Sequence, residues 1–187
     1  MDTTTNEKII NIRGTNNRYM IKKLTTDTKK ENKKRVDSLD WNFADEYFKY
    51  DKQIELLKDI FTNNFINNDD TVGKIVFQQI NTKISGYKQQ DVLKKHYDCH
   101  KFIDFKNIIM KLIECDLKCR YCRESMTILY DVSREMKQWS VDRIDNDMGH
   151  NEDNYHLACL DCNLKRRRQT DKKFLFTKQL SIVKHGN

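Results

Sequence analysis

Two pairs of cysteines carry the strongest chemical signal in the chain. Cys119-Arg120-Tyr121-Cys122 and Cys159-Leu160-Asp161-Cys162 are C-x-x-C units with 36 residues between them. Such a turn points two thiolates at one ion, and two turns complete a tetrahedral four-sulfur site for Zn2+. One pair alone would read as a redox motif or a coincidence. Two pairs bounding a short, weakly apolar stretch read as the staple that such a stretch needs. Structural zinc contributes on the order of 10–16 kcal/mol of apparent binding energy in small peptides. Four protein ligands leave no open coordination position, so this ion is expected to hold the fold and take no part in chemistry. Cys115 reads as a buried or free thiol. His96, Cys99 and His100 are ligand-like in type, but no second pair accompanies them.

The residues between the pairs suggest how they are positioned. Gln138-Trp139-Ser140-Val141-Asp142-Arg143-Ile144 alternates like a strand. A polar loop follows over 145–153, then a short second strand over 154–158. Leu160 to Arg168 reads as a helix whose first turn carries the second cysteine pair. The order is strand, loop, strand, helix, with zinc pinning both ends.

Cys119-x2-Cys122, Val141-Asp142-Arg143-Ile144-Asp145, Gly149-His150, Asn154 and Cys159-x2-Cys162-Asn163-x-Lys165 occur in the order of a known pattern. The segment 118–168 resembles the zinc-bearing branch of the HNH endonucleases. These have the ββα-metal fold and occur in phages, large DNA viruses, mobile introns and restriction systems. The resemblance implies that Asp142 ligates a catalytic Mg2+ or Mn2+, that Asn163 is the second metal-facing residue, and that Asn154 braces the loop. The roles suit the residue types, because a strand carboxylate and a helix amide can converge on one hard cation and leave sites for water and phosphate oxygens.

One position departs from the family pattern. The residue after the Asp is usually His, the general base for the attacking water, and here it is Arg143. A guanidinium stays protonated and offers no lone pair. Either the chain is an inactive relative that only binds DNA, or the base has moved. His150, eight residues after Asp142, is the preferred replacement, since an imidazole accepts protons near neutral pH. His156 is the rival. Arg143 would then clamp the phosphate.

Beyond Asn163 come Lys165, Arg166, Arg167, Arg168, Lys172 and Lys173, which with Asp171 give residues 165–173 a net charge of +5. On a helix beside the metal site these charges are expected to meet the DNA backbone. The alternative is a nuclear-localisation patch.

The rest of the chain must support this module. Phe43, Tyr47, Tyr50, Ile54, Leu57, Phe61 and Phe65 step at helical spacing, with Asp40 as an N-cap and asparagines at 63–64 and 67–68 marking the end. Val72, Ile75, Val76, Ile80 and Ile84 form a second stripe that stops at Gly86. Phe105, Ile108, Ile109, Leu112 and Ile113 form a third, capped by Asp104. Tyr87 to Asp91 read as an exposed polar helix start, the alternative being contacts to phosphates or bases. The aromatic residues of these stripes are assigned to the core.

The chain has 35 Lys and Arg against 28 Asp and Glu, a formal charge of +7. Residues 8–35 hold ten basic residues against two acidic ones, so an arm at the N-terminus supplies nearly all the excess. It is too poor in apolar residues to offset its own ordering entropy and is expected to be disordered. No run approaches the ~18 apolar residues of a membrane span, and the polar first residues do not resemble a secretory signal. The expectation is an intracellular protein, with DNA as partner and no membrane association. The fold class is α+β, with a basic arm at 1–38, a helical region at 39–114, an HNH module at 115–170 and a tail at 171–187. The expected function is metal-dependent DNA hydrolysis. The alternative is a catalytically inactive, zinc-finger-like DNA-binding protein. A paired cut would call for a homodimer.

Overall fold

The computed structural model describes residues 33–62 and 71–180. The chain divides into Met1–Lys33 and Lys34–Asn187, and the fold is that of the second unit. Most of the basic arm, Phe65 and the asparagines after residue 62 lie outside the described residues.

Among the described residues, five α-helices and one two-stranded sheet make an α+β fold: α1 Tyr50–Thr62, α2 Thr71–Leu93, α3 Phe105–Glu114, β1 Trp139–Arg143, β2 Tyr155–Cys159, α4 Leu160–Arg166 and α5 Asp171–Gln179. The helices come first and the zinc-stapled ββα-like module follows. β1 and β2 are antiparallel, with Val141 opposite Leu157 and Asp142 opposite His156. One core joins the two regions. Leu57, Val76, Ile80, Ile108, Ile109 and Leu112 from the helices share it with Trp139, Val141, Leu157 and Ala158 from the hairpin.

The three apolar stripes become helices, with two differences. The first stripe is broken. Asp45–Phe48 form a separate 3-10 turn, and Lys49 is extended, so α1 starts at Tyr50 and Asp40 caps nothing. The aromatics ahead of the break still pack: Trp41 stacks on Phe43 with ring centroids 5.6 Å apart. The second stripe does not stop at Gly86. Glycine costs a helix only about 1 kcal/mol, and α2 continues to Leu93, where half-buried Tyr87 bonds Val141 and buried Asp91 meets His150. α3 begins as the sequence suggests. Asp104 Oδ1 accepts from Asn107 N at 2.8 Å, and Asn107 Oδ1 accepts from Asp104 N at 2.8 Å, a reciprocal capping box.

Gln53 on α1 ties the helical region to the segment before β1. It is buried, and its Oε1 accepts from Ile128 N (2.6 Å) and Leu129 N (3.2 Å) while Nε2 donates to Phe48 O and Leu129 O. All of its polar capacity is used, which is what makes burial of an amide tolerable. Arg35, expected in the free arm, is docked: its guanidinium lies 4.4 Å from the Tyr130 ring centroid and donates to Gln79 Oε1 at 2.7 Å.

The outward edge of β1 is covered by three side chains and one backbone carbonyl. Val141 N donates to Tyr87 Oη (3.0 Å), and Val141 O accepts from Asn163 Nδ2 (3.1 Å). Trp139 N donates to Thr127 O (3.1 Å), and Trp139 O accepts from Lys83 Nζ. Lys83 lies 4.6 Å from the Trp139 ring centroid, and burial pulls its ammonium down to about 7.

Candidate metal centre and basic cleft

The local backbone explains why the four cysteines converge. Cys119 N donates to Glu124 O (2.9 Å), Arg123 N returns to Cys119 O (3.1 Å), and Tyr121 N donates to Cys119 Sγ (3.4 Å), which folds the first C-x-x-C into a tight turn. Arg123 closes it with φ of 62°. The second pair straddles a strand-to-helix junction: Cys159 ends β2 and precedes α4, and Cys162 lies in the first turn of α4. The four Sγ atoms all lie within 4.8 Å of one another. Cys122 Sγ and Cys159 Sγ are 3.9 Å apart, far beyond a disulfide and close to the roughly 3.8 Å edge of a tetrahedron with 2.3 Å Zn–S bonds.

The electrostatics of the cluster also ask for a cation. A hydrogen bond from Cys159 lowers the Cys119 thiol to about 5. The same bond and burial push Cys159 upward, and burial with neighbouring sulfur charge pushes Cys162 up to about 12. A buried knot of sulfurs tolerates one thiolate and resists more. A dication removes the repulsion and is the group these residues fit. Cys119, Cys122, Cys159 and Cys162 would hold zinc, which supplies a closed structural crosslink between the turn after α3 and the hairpin–helix junction.

Tyr121, between the first two cysteines, reaches from this centre to Asp142. Its hydroxyl donates to Asp142 Oδ2, and its ring meets Phe174 of α5 edge-on at 4.8 Å. That contact, with Phe174 buried, is why 171–179 is a helix packed on the module, where the sequence suggested a tail.

Asp142 is 4% exposed. Arg166, only 1% exposed, brings Nη2 to Oδ1 at 2.8 Å and Nε to within 2.7 Å of Oδ2. Burial pushes the Asp142 carboxyl above its ordinary range, against the pull of Arg166 and Tyr121. The rest of the Arg166 guanidinium serves the neighbouring backbone. Nη1 donates to Gln169 O (2.6 Å), and Nη2 also donates to Arg143 O and Asn146 Oδ1. Arg166 therefore does not share the exposed face of Lys165, Arg167, Arg168, Lys172 and Lys173. Its charge is committed inward, where Asp142 neutralises it.

Asn163 is half-buried, and its Nδ2 donates to Ser140 Oγ and Val141 O, both at 3.1 Å, which pins α4 on β1. Asn154 spans the loop: its Oδ1 accepts from Asp145 N (2.8 Å), and its Nδ2 donates to Asp145 O and Gly149 O (both 3.0 Å). Gly149 is required by a close approach, since a Cβ there would sit 2.4 Å from His96 O.

The two candidate bases have different surroundings. His150 is 3% exposed, stacks on Tyr87 at 4.7 Å, and meets Asp91 through Nδ1 (Oδ1, 2.8 Å) and its backbone N (Oδ2, 2.6 Å). Burial lowers its pKa, outweighing Asp91, so the imidazole is neutral at pH 7. His156 faces Asp142 across the sheet, with Nε2 3.7 Å from Asp171 Oδ2, and burial lowers its pKa too. Tyr87 to Asp91 are not the exposed helix start that the sequence suggests: they form the last turns of α2, and Asp91 is fully buried against His150, 59 residues further along the chain. Tyr121 could have been noticed, as an aromatic residue held rigidly between two zinc cysteines.

A cleft of about 820 Å³ opens beside this network, lined by Lys94, His96, Arg143, Ile144, Asp145, Asn146, Asp147 and residues 167–170. Four lining cations, Lys94, Arg143, Arg167 and Arg168, face two carboxylates, Asp145 and Asp147. Arg143 Nη1 donates to Met148 O (2.9 Å), and among the described residues none of the four cations is ion-paired. Arg167 turns the chain at the cleft wall with φ 53° and ψ −114°, a backbone conformation that side chains rarely adopt. Among the described residues no helix is long and apolar enough to cross a membrane. No family model, no curated protein and no solved structure matches this chain.

Proposed function

We propose that the chain is a DNA-binding protein built on a zinc-stapled ββα module of the HNH type, and that it grips DNA without cutting it. The observation that carries this reading is the cleft, where four cations from three parts of the chain converge and, among the described residues, none is ion-paired. Unpaired Lys and Arg side chains on one concave surface suit the closely spaced phosphates of a DNA backbone. Lys172 and Lys173 are exposed nearby in sequence, and Lys165 is exposed but ion-paired with Asp161 at 2.7 Å. The basic segment 8–35 adds a tether. The test is fluorescence anisotropy with a labelled duplex over a salt series. Replacing Arg143, Arg167 and Arg168 together with Gln should weaken binding and flatten the salt dependence by about 0.9 log units per lost phosphate contact. Unchanged affinity and slope would reject the cleft as the binding surface.

A second reading is a metal-dependent DNA endonuclease. In it Asp142 and Asn163 hold Mg2+ or Mn2+, His150 is the general base, Arg143 clamps the phosphate and Asn154 braces the loop. The Asp91–His150 pair favours it, since a carboxylate on Nδ1 orients a neutral imidazole. It requires Arg166 to leave Asp142, and His150 to reach water from a site that is 3% exposed. Supercoiled plasmid incubated with Mg2+ or Mn2+, with EDTA as control, decides between the readings. Nicked or linear product that depends on the metal would establish the second.

A further inference from the structure

The carboxylate that an HNH frame offers to a divalent ion has no free oxygen here. Asp142 Oδ1 accepts from Arg166 Nη2 at 2.8 Å. Oδ2 lies 2.7 Å from Arg166 Nε and also accepts from Tyr121 Oη. The helix amide opposite, Asn163, turns its Nδ2 donor toward β1 and spends it on Ser140 Oγ and Val141 O. A hard divalent cation needs oxygen ligands, several of them, and in the case of Mg2+ keeps bound water. Around Asp142 the neighbours are instead N–H and O–H donors, and Asp142 and Arg166 are nearly closed to solvent. These residues, as arranged, do not fit Mg2+ or Mn2+.

They do fit a guanidinium. Arg166 donates to Oδ1 through Nη2 and holds Nε 2.7 Å from Oδ2, while Nη1 donates to Gln169 O and Nη2 also reaches Arg143 O and Asn146 Oδ1. A buried carboxylate must be paired. Arg can supply that charge from within the chain, always protonated and weakly hydrated.

We infer that Arg166 is a resident cation: its guanidinium fills the seat between Asp142 and α4 in which the HNH frame would place a divalent ion, so the protein binds no such ion there. The inference rests on the non-cutting reading for its frame, yet it is measured without DNA. A failure of DNA binding and a failure of this assignment therefore remain distinct.

The experiment is a Mn2+ titration of the zinc-loaded, full-length chain, read by electron paramagnetic resonance. Free Mn2+ gives a six-line signal that is lost on binding. The expected wild-type result is the signal of buffer alone up to millimolar Mn2+. In Arg166→Ala, with zinc content and near-ultraviolet circular dichroism intact, the signal should fall by one Mn2+ per chain. Adding Asp142→Asn should restore it. Arg166→Gln, which preserves side-chain volume better, takes the place of the alanine variant if the latter does not fold. One Mn2+ bound per wild-type chain and released by Asp142→Asn overturns the inference. So does a folded Arg166 variant that binds none. If neither variant folds, the wild-type titration decides alone, since an unaltered signal upholds the assignment and a bound ion refutes it.

Discussion

The helical region and the zinc-bearing module solve the same problem by different means. In α1 to α3 the interior is mostly aliphatic, with Ile80, Ile108, Ile109 and Leu112 at 0% exposure and Gln53 and Asp91 as its buried polar residues. Its stability is spread over many contacts of similar size. Between 115 and 171 apolar side chains such as Leu117, Met126, Ile128, Trp139 and Leu157 are buried too, but sulfur, carboxylate, guanidinium, imidazole and amide groups are buried among them, and part of the stability is concentrated in those few groups. A dispersed core loses a little with each substitution. A concentrated one loses most of its order when one group goes.

The sharpest break in that comparison is removal of zinc. Cys162→Ser, or chelation of the wild type, should cost the module much of the ~10–16 kcal/mol that structural zinc supplies to small domains. The near-ultraviolet signal of Trp139 should vanish while far-ultraviolet helicity from α1 to α3 largely persists. A retained Trp139 signal would show that the module does not depend on metal. Next comes Arg166→Met, which leaves Asp142 charged and unpaired. Urea unfolding should show a loss of about 3–5 kcal/mol. Adding Asp142→Leu should recover part of it, because the pair is then replaced as a unit. A comparable or smaller loss, about 2–5 kcal/mol, is expected for Leu112→Ala, the apolar counterpart. If Arg166→Met costs less than Leu112→Ala, the contrast between the regions fails.

The gentlest probe is pH. His150 has a folded pKa below its unfolded value. The neutral-state stability it confers is complete above an unfolded pKa of about 6.5 and is lost as pH falls from there through the folded pKa. Stability measured at pH 7.5 and 5.5 should fall toward acid, and the slope should shrink in His150→Gln. An identical slope in both proteins would detach His150 from the acid sensitivity of the fold.

Much of this architecture is legible in the sequence because it is written locally. Paired cysteines, the strand before the loop, helical stripes and the Asp104 cap each declare themselves within a few residues. What escapes is decided by partners far along the chain. Gly86 looks like a stop until Tyr87 and Asp91 are seen to reach Val141 and His150. Arg166 looks like one more surface cation in a basic run, and only the tertiary structure pairs it with Asp142. α5 has weak apolar patterning, and its burial comes from Phe174 against Tyr121. Metal staples and caps are local chemistry, whereas buried polar pairs are tertiary chemistry.

The covered edge of β1 bears on self-association. A strand edge with free N–H and C=O groups invites a second chain to extend the sheet. Here the groups of Trp139 and Val141 that face away from β2 are taken by Thr127, Lys83, Tyr87 and Asn163. A second copy could add a strand at β1 only by first breaking those four bonds and displacing α2. Sheet extension at β1 is therefore closed to a homodimer, and the hairpin, although only two strands wide, is protected on this side against edge-to-edge aggregation.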